Sequence, residues 1–87
     1  MQVAVELFGI ARARAGVAQT TSAGQSLGDV LADLANRFPQ LAETCIAGRS
    51  LKPGFTANLS GQRFVTDQTT LLAEGDTVLL MNLDAGG

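Results

Sequence analysis

Histidine, tryptophan and tyrosine are missing from this 87-residue sequence, cysteine occurs once and basic residues six times. Each shortage removes a class of chemistry. Without histidine there is no imidazole to act as base in a Cys–His or Ser–His–Asp arrangement, and none to ligate a metal. One thiol cannot build a structural zinc site. Eight carboxylates remain, but no apolar pattern encloses a pair of them so as to shift their protonation, and catalysis by this chain alone is not expected. The single thiol, Cys45, has no partner for an internal disulfide, which fits a reducing compartment. The cations Arg12, Arg14, Arg37, Arg49, Lys52 and Arg63 are scattered and the net charge is −2. Phosphate recognition needs clustered cations, and base stacking favours aromatic rings, so a nucleic-acid partner is not expected. No apolar run approaches the roughly 20 residues that span a bilayer. Met1-Gln2 leads directly into an alternating pattern rather than a basic segment and an apolar one, so no signal peptide is visible. The expectation is a cytoplasmic protein without a membrane segment.

What is present reads as one small domain. Hydrophobic residues make up 46% and charged residues 16% of the chain, the balance of an ordinary globular protein. A domain of this size buries only about 60% of the surface its unfolded chain exposes, so its core has to be economical.

Gln2 to Leu7 alternate, with Val3, Val5 and Leu7 on one side, which predicts a strand with one face buried. Ile10 to Ala15 suggests a single helical turn closed by Gly16, and Val17 to Ser22 a weaker second strand. Ser26 is a good N-cap, and Asp29 three residues on completes a rough capping box. Leu27, Val30, Leu31, Leu34, Ala35 and Phe38 then recur at helical spacing as one apolar stripe. Asp33 and Arg37 lie outward at i, i+4, worth a few tenths of a kcal/mol, and Pro39 ends the helix at Phe38.

Leu41 to Ala47 suggests a second short helix carrying Cys45, and Gly48 to Gly54 a loop. Phe55 to Leu59 and Arg63 to Val65 read as a hairpin around Ser60-Gly61-Gln62, and Glu74-Gly75-Asp76 as a turn. Thr77 to Leu83 is almost continuously apolar, which suggests a central strand covered on both faces. One helix stripe packed across a mixed sheet is an α+β domain of two layers.

Only Asp84, Ala85, Gly86 and Gly87 follow that strand. A glycine tail has no Cβ atoms and can lie extended in a narrow tunnel of another protein. A terminal carboxylate with a pKa of roughly 3.5 is ionised and can attack the α-phosphate of ATP. The resulting acyl-adenylate can be attacked by sulfur to give a thiocarboxylate. At a background glycine frequency of about 7%, a chain closes on Gly-Gly by chance roughly once in two hundred, so the pair counts most beside a matching fold.

Three segments carry a family resemblance. Phe8-Gly9-Ile10-Ala11-Arg12 with Gly16 is similar to the Phe-x-x-x-Arg-x-x-x-Gly segment after the first strand of the MoaD group. Leu72-Ala73-Glu74-Gly75-Asp76-Thr77-Val78 resembles the family's Leu-x-x-Gly-Asp-x-Val entry to the last strand, and Gly86-Gly87 matches its terminus. Over essentially its whole length the chain resembles the MoaD/ThiS-type ubiquitin-like sulfur carriers, the molybdopterin synthase small subunit above all. It departs from them where that subunit commonly has a Pro-Pro pair, since Met81-Asn82-Leu83-Asp84 stands here.

The resemblance implies a β-grasp domain over residues 1–83, first and last strands parallel at its centre, and a flexible tail over 84–87. It implies a carrier rather than an enzyme, with no bound cofactor. A ubiquitin-activating-type adenylyltransferase would use ATP to adenylate Gly87, with Asp84, Ala85 and Gly86 threading its active site. A sulfurtransferase or cysteine desulfurase would supply sulfur, and the thiocarboxylate would deliver it to an acceptor such as the molybdopterin synthase large subunit. Phe8, Arg12 and Leu83 are the candidate partner contacts; for Arg12 and Arg14 a solvated turn is the equal alternative. Phe8, Phe55 and Phe64 are read as core or sheet-face residues, with membership of one of them in an exposed partner patch as the alternative. Cys45, among Leu41, Ile46 and Ala47, reads as a packed apolar group rather than a relay thiol. A ubiquitin-like modifier using the same Gly-Gly, or a carrier for thiamine, an amino acid, a tRNA base or a secondary metabolite, remains as an alternative. So does a plain interaction domain.

Overall fold

The computed structural model describes residues 2–83. In chain order it places β1 (Gln2–Leu7), α1 (Gly9–Ala15), β2 (Gln19–Ala23), α2 (Leu27–Arg37) and α3 (Pro39–Cys45). The short strands β3 (Ile46–Ala47) and β4 (Ser50–Leu51) follow, then β5 (Phe55–Leu59), β6 (Arg63–Val65) and β7 (Thr77–Asn82). The main sheet has the order β2-β1-β7-β5-β6, with β1 and β7 parallel and every other neighbouring pair antiparallel. That arrangement is the β-grasp, and the parallel central pair is the one expected from the sequence.

The alternation in β1 is realised residue by residue: Val3, Val5 and Leu7 are buried and Gln2, Ala4 and Glu6 exposed. These inward side chains meet Val78 and Leu80 of β7 and the α2 stripe of Leu27, Val30, Leu31 and Leu34, all buried. Ser26 caps α2 through its Oγ, which accepts the Asp29 N–H at 3.1 Å. The return bond differs from a standard capping box: Asp29 Oδ2 accepts from the N–H of Gln25 at 3.0 Å, one residue before the cap. Asp33 and Arg37 do more than pair with each other on the helix surface. Asp33 Oδ2 also accepts from the Ser22 hydroxyl at 2.7 Å, and Arg37 donates to Thr20 Oγ1 and the Thr21 carbonyl, so the two residues fasten α2 to β2.

Four expectations are corrected. The helical turn after β1 is a seven-residue helix that begins at Gly9. The second strand lies at Gln19–Ala23, two residues later at its start, with Ser22 facing inward. The short helix carrying Cys45 starts at Pro39, whose missing N–H costs nothing in a first turn. It stops at Cys45, because Ile46–Ala47 pairs with Ser50–Leu51 inside the segment read as a loop. Finally, β7 is central but not covered on both faces. Val78 and Leu80 are buried under the helices, while Thr77, Leu79 and Met81 face outward and keep part of their surface.

Candidate functional site

Because β1 and β7 are parallel neighbours, both reach their C-terminal ends at the same edge of the molecule. The Phe8 N–H donates to the Leu80 carbonyl at 3.0 Å, continuing the ladder one residue past β1. Gly9 then turns the chain into α1 with φ +55, and a Cβ there would stand 2.5 Å from Asn82 Oδ1. That oxygen also accepts from the Ile10 N–H at the outer limit of 3.5 Å, so the first turn of α1 leans on the end of β7. On the other flank the Leu83 N–H donates to the Gly54 carbonyl at 2.7 Å. The strand is therefore held as far as Asn82 on the β1–α1 flank and as far as Leu83 on the other.

The rim of this exit is apolar and open. Phe8 is 41% exposed, Ile10 43% and Leu83 62%. Arg12 is exposed one helical turn beyond Phe8, its N–H donating to the Phe8 carbonyl at 3.4 Å. Phe8 and Leu83 thus share one edge, and Arg12 stands on the helix that leaves it. Asp84, Ala85, Gly86 and Gly87 lie outside the described residues. The sequence reading missed Ile10, Gly9 and Asn82. The available signal was a glycine set between two apolar residues directly after a strand, at a point where that strand's parallel neighbour also ends.

The remaining reactive groups lie elsewhere. Cys45 is buried, and its burial pushes the thiol pKa up, against the pull of Arg14 and Lys52. A buried protonated thiol is a poor nucleophile. Asp33 is held below the usual carboxylate range by Arg37 and the Ser22 hydroxyl, and Asp29 by Arg49 and the Gln25 N–H. Both carboxylates fasten helix α2. Phe55 is half-buried against the core, whereas Phe64 is 67% exposed on the outward face of the sheet. An open depression of about 360 Å³ lies on that outward face, lined by Glu6, Ser60, Gly61, Gly75, Thr77 and Leu79. It sits where β7 begins, away from the exit. Among the described residues no helix is long and apolar enough to cross a membrane.

Solved structures share this architecture across the whole chain. SAMP1 from Haloferax volcanii superposes with a TM-score of 0.81 at 20% identity, covering 100% of both chains. A chain of the BexX/CysO complex of Amycolatopsis orientalis gives 0.79 at 18% identity, over 98% of this chain and 99% of that one. A Pyrococcus furiosus protein provisionally described as molybdopterin converting factor, subunit 1, gives 0.75 at 21% identity, over 94% and 97%. At these identities the likeness is one of fold, the β-grasp of MoaD-like and small-modifier structures. No protein-family model matches the chain, and no curated protein matches it by sequence.

Proposed function

We propose that this chain is a sulfur carrier: a folded unit over residues 1–83 that presents a tail, 84–87, ending in the reactive carboxylate of Gly87. The observation that supports it most is the exit itself. The central strand of a β-grasp is held on one flank as far as Asn82 and on the other as far as Leu83, with only Asp84 and Ala85 between it and Gly86-Gly87, and exposed apolar side chains stand around its end. In this reading the rim of Phe8, Ile10 and Leu83 seats the tail's base on the partner adenylyltransferase. There the Gly87 carboxylate attacks the α-phosphate of ATP and pyrophosphate leaves. The persulfide of a sulfurtransferase or cysteine desulfurase then attacks the acyl carbon and expels AMP, and a thiol cleaves the resulting acyl disulfide, which frees the thiocarboxylate and leaves that thiol in a disulfide. The chain supplies the carboxylate and its placement, and the partner supplies the catalysis.

For the acceptor we propose the molybdopterin synthase large subunit. The sequence segments resembling that pathway's small subunit and the fold shared with the Pyrococcus furiosus protein support it. The cytoplasm is the compartment this chemistry needs. A second reading, conjugation to a target lysine, is favoured by the fold shared with the Haloferax volcanii small archaeal modifier protein 1.

Intact mass after incubation with the organism's adenylyltransferase, ATP and a sulfur donor tests the carrier reading. The expected product gains one sulfur in place of one oxygen. Methionine oxidation adds nearly the same mass, so the change has to map to Gly87 by fragmentation and persist in Cys45→Ser. An unmodified mass together with conjugates on denaturing gels would transfer the assignment to the modifier.

A further inference from the structure

We propose that Asn82 is a positioning residue for the tail, fixing the direction in which the chain leaves β7 relative to the rim of Phe8 and Ile10. This inference rests on the carrier reading above and concerns how the Gly87 carboxylate is brought to ATP.

The described pairing of β1 with β7 ends at Leu7 opposite Leu80, and the last backbone bond on that flank runs from the Phe8 N–H to the Leu80 carbonyl. Beyond it the chain after β1 turns away at Gly9 into α1, while β7 continues through Asn82. The other flank stays tied: Asn82 lies opposite Phe55, and the Leu83 N–H donates to the Gly54 carbonyl at 2.7 Å. A strand end tied along one flank alone can pivot about it. Met81-Asn82-Leu83-Asp84 contains no proline, so no ring locks φ there and the direction has to come from non-covalent ties.

The Asn82 side chain supplies the tie on the open flank. It lies on the face of β7 that carries buried Leu80, two residues earlier, and so on the side of the helices. Phe8 precedes α1 and its side chain offers the helix no cap. The Ile10 N–H is one of the donors that a first helical turn leaves without an intrahelical partner, and Asn82 Oδ1 accepts it at 3.5 Å. That bond is long, and the seat of the side chain against Gly9 adds to the restraint. A Cβ on Gly9 would stand 2.5 Å from the same oxygen, so the amide fills the space a side chain would take. One amide thus joins the helix that carries the rim to the root of the tail.

Four extended residues, Asp84 to Gly87, reach about 13–14 Å. A swing of about 5° at the root moves their far end by about 1 Å, and a misplacement of that size can cost up to a hundredfold in rate. The rim itself is unchanged by such a swing, so the loss belongs to turnover and not to affinity.

The test compares wild type with Asn82→Ala, Asn82→Ser and Asn82→Asp. Calorimetry measures affinity for the organism's adenylyltransferase, and pyrophosphate release measures adenylation at saturating carrier. Asn82→Ala is expected to bind within about twofold of wild type while its saturated rate falls about tenfold. Asn82→Ser, whose hydroxyl ends one bond short of Oδ1, should behave likewise and repeats the test should the alanine variant fold poorly. Asn82→Asp keeps an acceptor oxygen in place and should recover most of the rate. Amide exchange at Ile10 should quicken in the two short variants, with thermal midpoints close to wild type. Both short variants turning over as wild type does would overturn this inference alone. Equal losses of affinity and rate would also overturn it, by making Asn82 a partner contact, as would Asn82→Asp proving as slow as Asn82→Ala. A wild-type chain that is neither bound nor adenylated would take the carrier reading down with it.

Discussion

Gly9 and Asp33 show how single residues set the two structural ties that matter here. Gly9 has φ +55, and its missing side chain leaves room for Asn82 Oδ1. Gly9→Ala adds a left-handed penalty of about 1–2 kcal/mol and a clash at the exit of β7. We expect its denaturant midpoint to fall accordingly and Asn82→Ala to recover only the clash. Full recovery in the double variant would show that backbone strain is unimportant at this position. Asp33 joins α2 to β2, and its pKa lies below the ordinary value chiefly through Arg37 and then Ser22. A carboxyl depressed in the folded state stabilises the fold above its unfolded pKa of about 3.9, and loses that contribution as pH falls through the folded value. Asp33→Asn should therefore cost about 1 kcal/mol or less near neutrality, given the partial exposure of the pair. Its melting temperature should also fall less steeply than that of wild type below about pH 4. Parallel acid limbs in the two proteins would remove Asp33 from the acid response.

At the scale of elements, α2 holds the two layers together. Leu31 is fully buried among β1, β7 and helix side chains, and Leu31→Ala is expected to cost about 2–5 kcal/mol in chemical denaturation. A midpoint near wild type would mean that the cavity collapses without penalty. This helix was legible in the sequence because its apolar stripe, cap and Pro39 stop agree with one another. β1 and the β5–β6 hairpin were legible through period two and a turn of Ser60-Gly61-Gln62. β3 and β4 were not, since two-residue strands carry no period to detect. The open face of β7 was misread for a related reason. Leu79 and Met81 are as apolar as Val78 and Leu80, and sequence alone does not distinguish a side chain covered by helices from one left outward. Of the candidate site, Phe8 and Leu83 were named because motifs flank them. Ile10 and Asn82 enter only once the parallel pairing of β1 with β7 brings their strand ends together.

For the whole molecule the carrier reading divides the labour between a core that makes stability and a tail that would carry the chemistry. Every buried apolar side chain of the described core falls between Val3 and Leu80, and the last described tie is Leu83 to Gly54. None of that described core is removed with Gly87, and under the carrier reading the shortened chain should melt within about 1 °C of wild type. It still ends in a glycine carboxylate, so any loss of function has to come from reach. One extended residue spans about 3.3–3.6 Å, comparable with the whole reacting distance of about 3–3.5 Å in a near-attack arrangement, where a misplacement of 1 Å can cost a hundredfold. Adenylation of the shortened chain should therefore fall at least a hundredfold, while its affinity for the adenylyltransferase, which the carrier reading assigns to the rim of Phe8, Ile10 and Leu83, changes little. Adenylation at the wild-type rate would show that the terminal residue does not set the position of the reacting carboxylate. A melting temperature several degrees lower would show that the tail packs on the domain instead of leaving it.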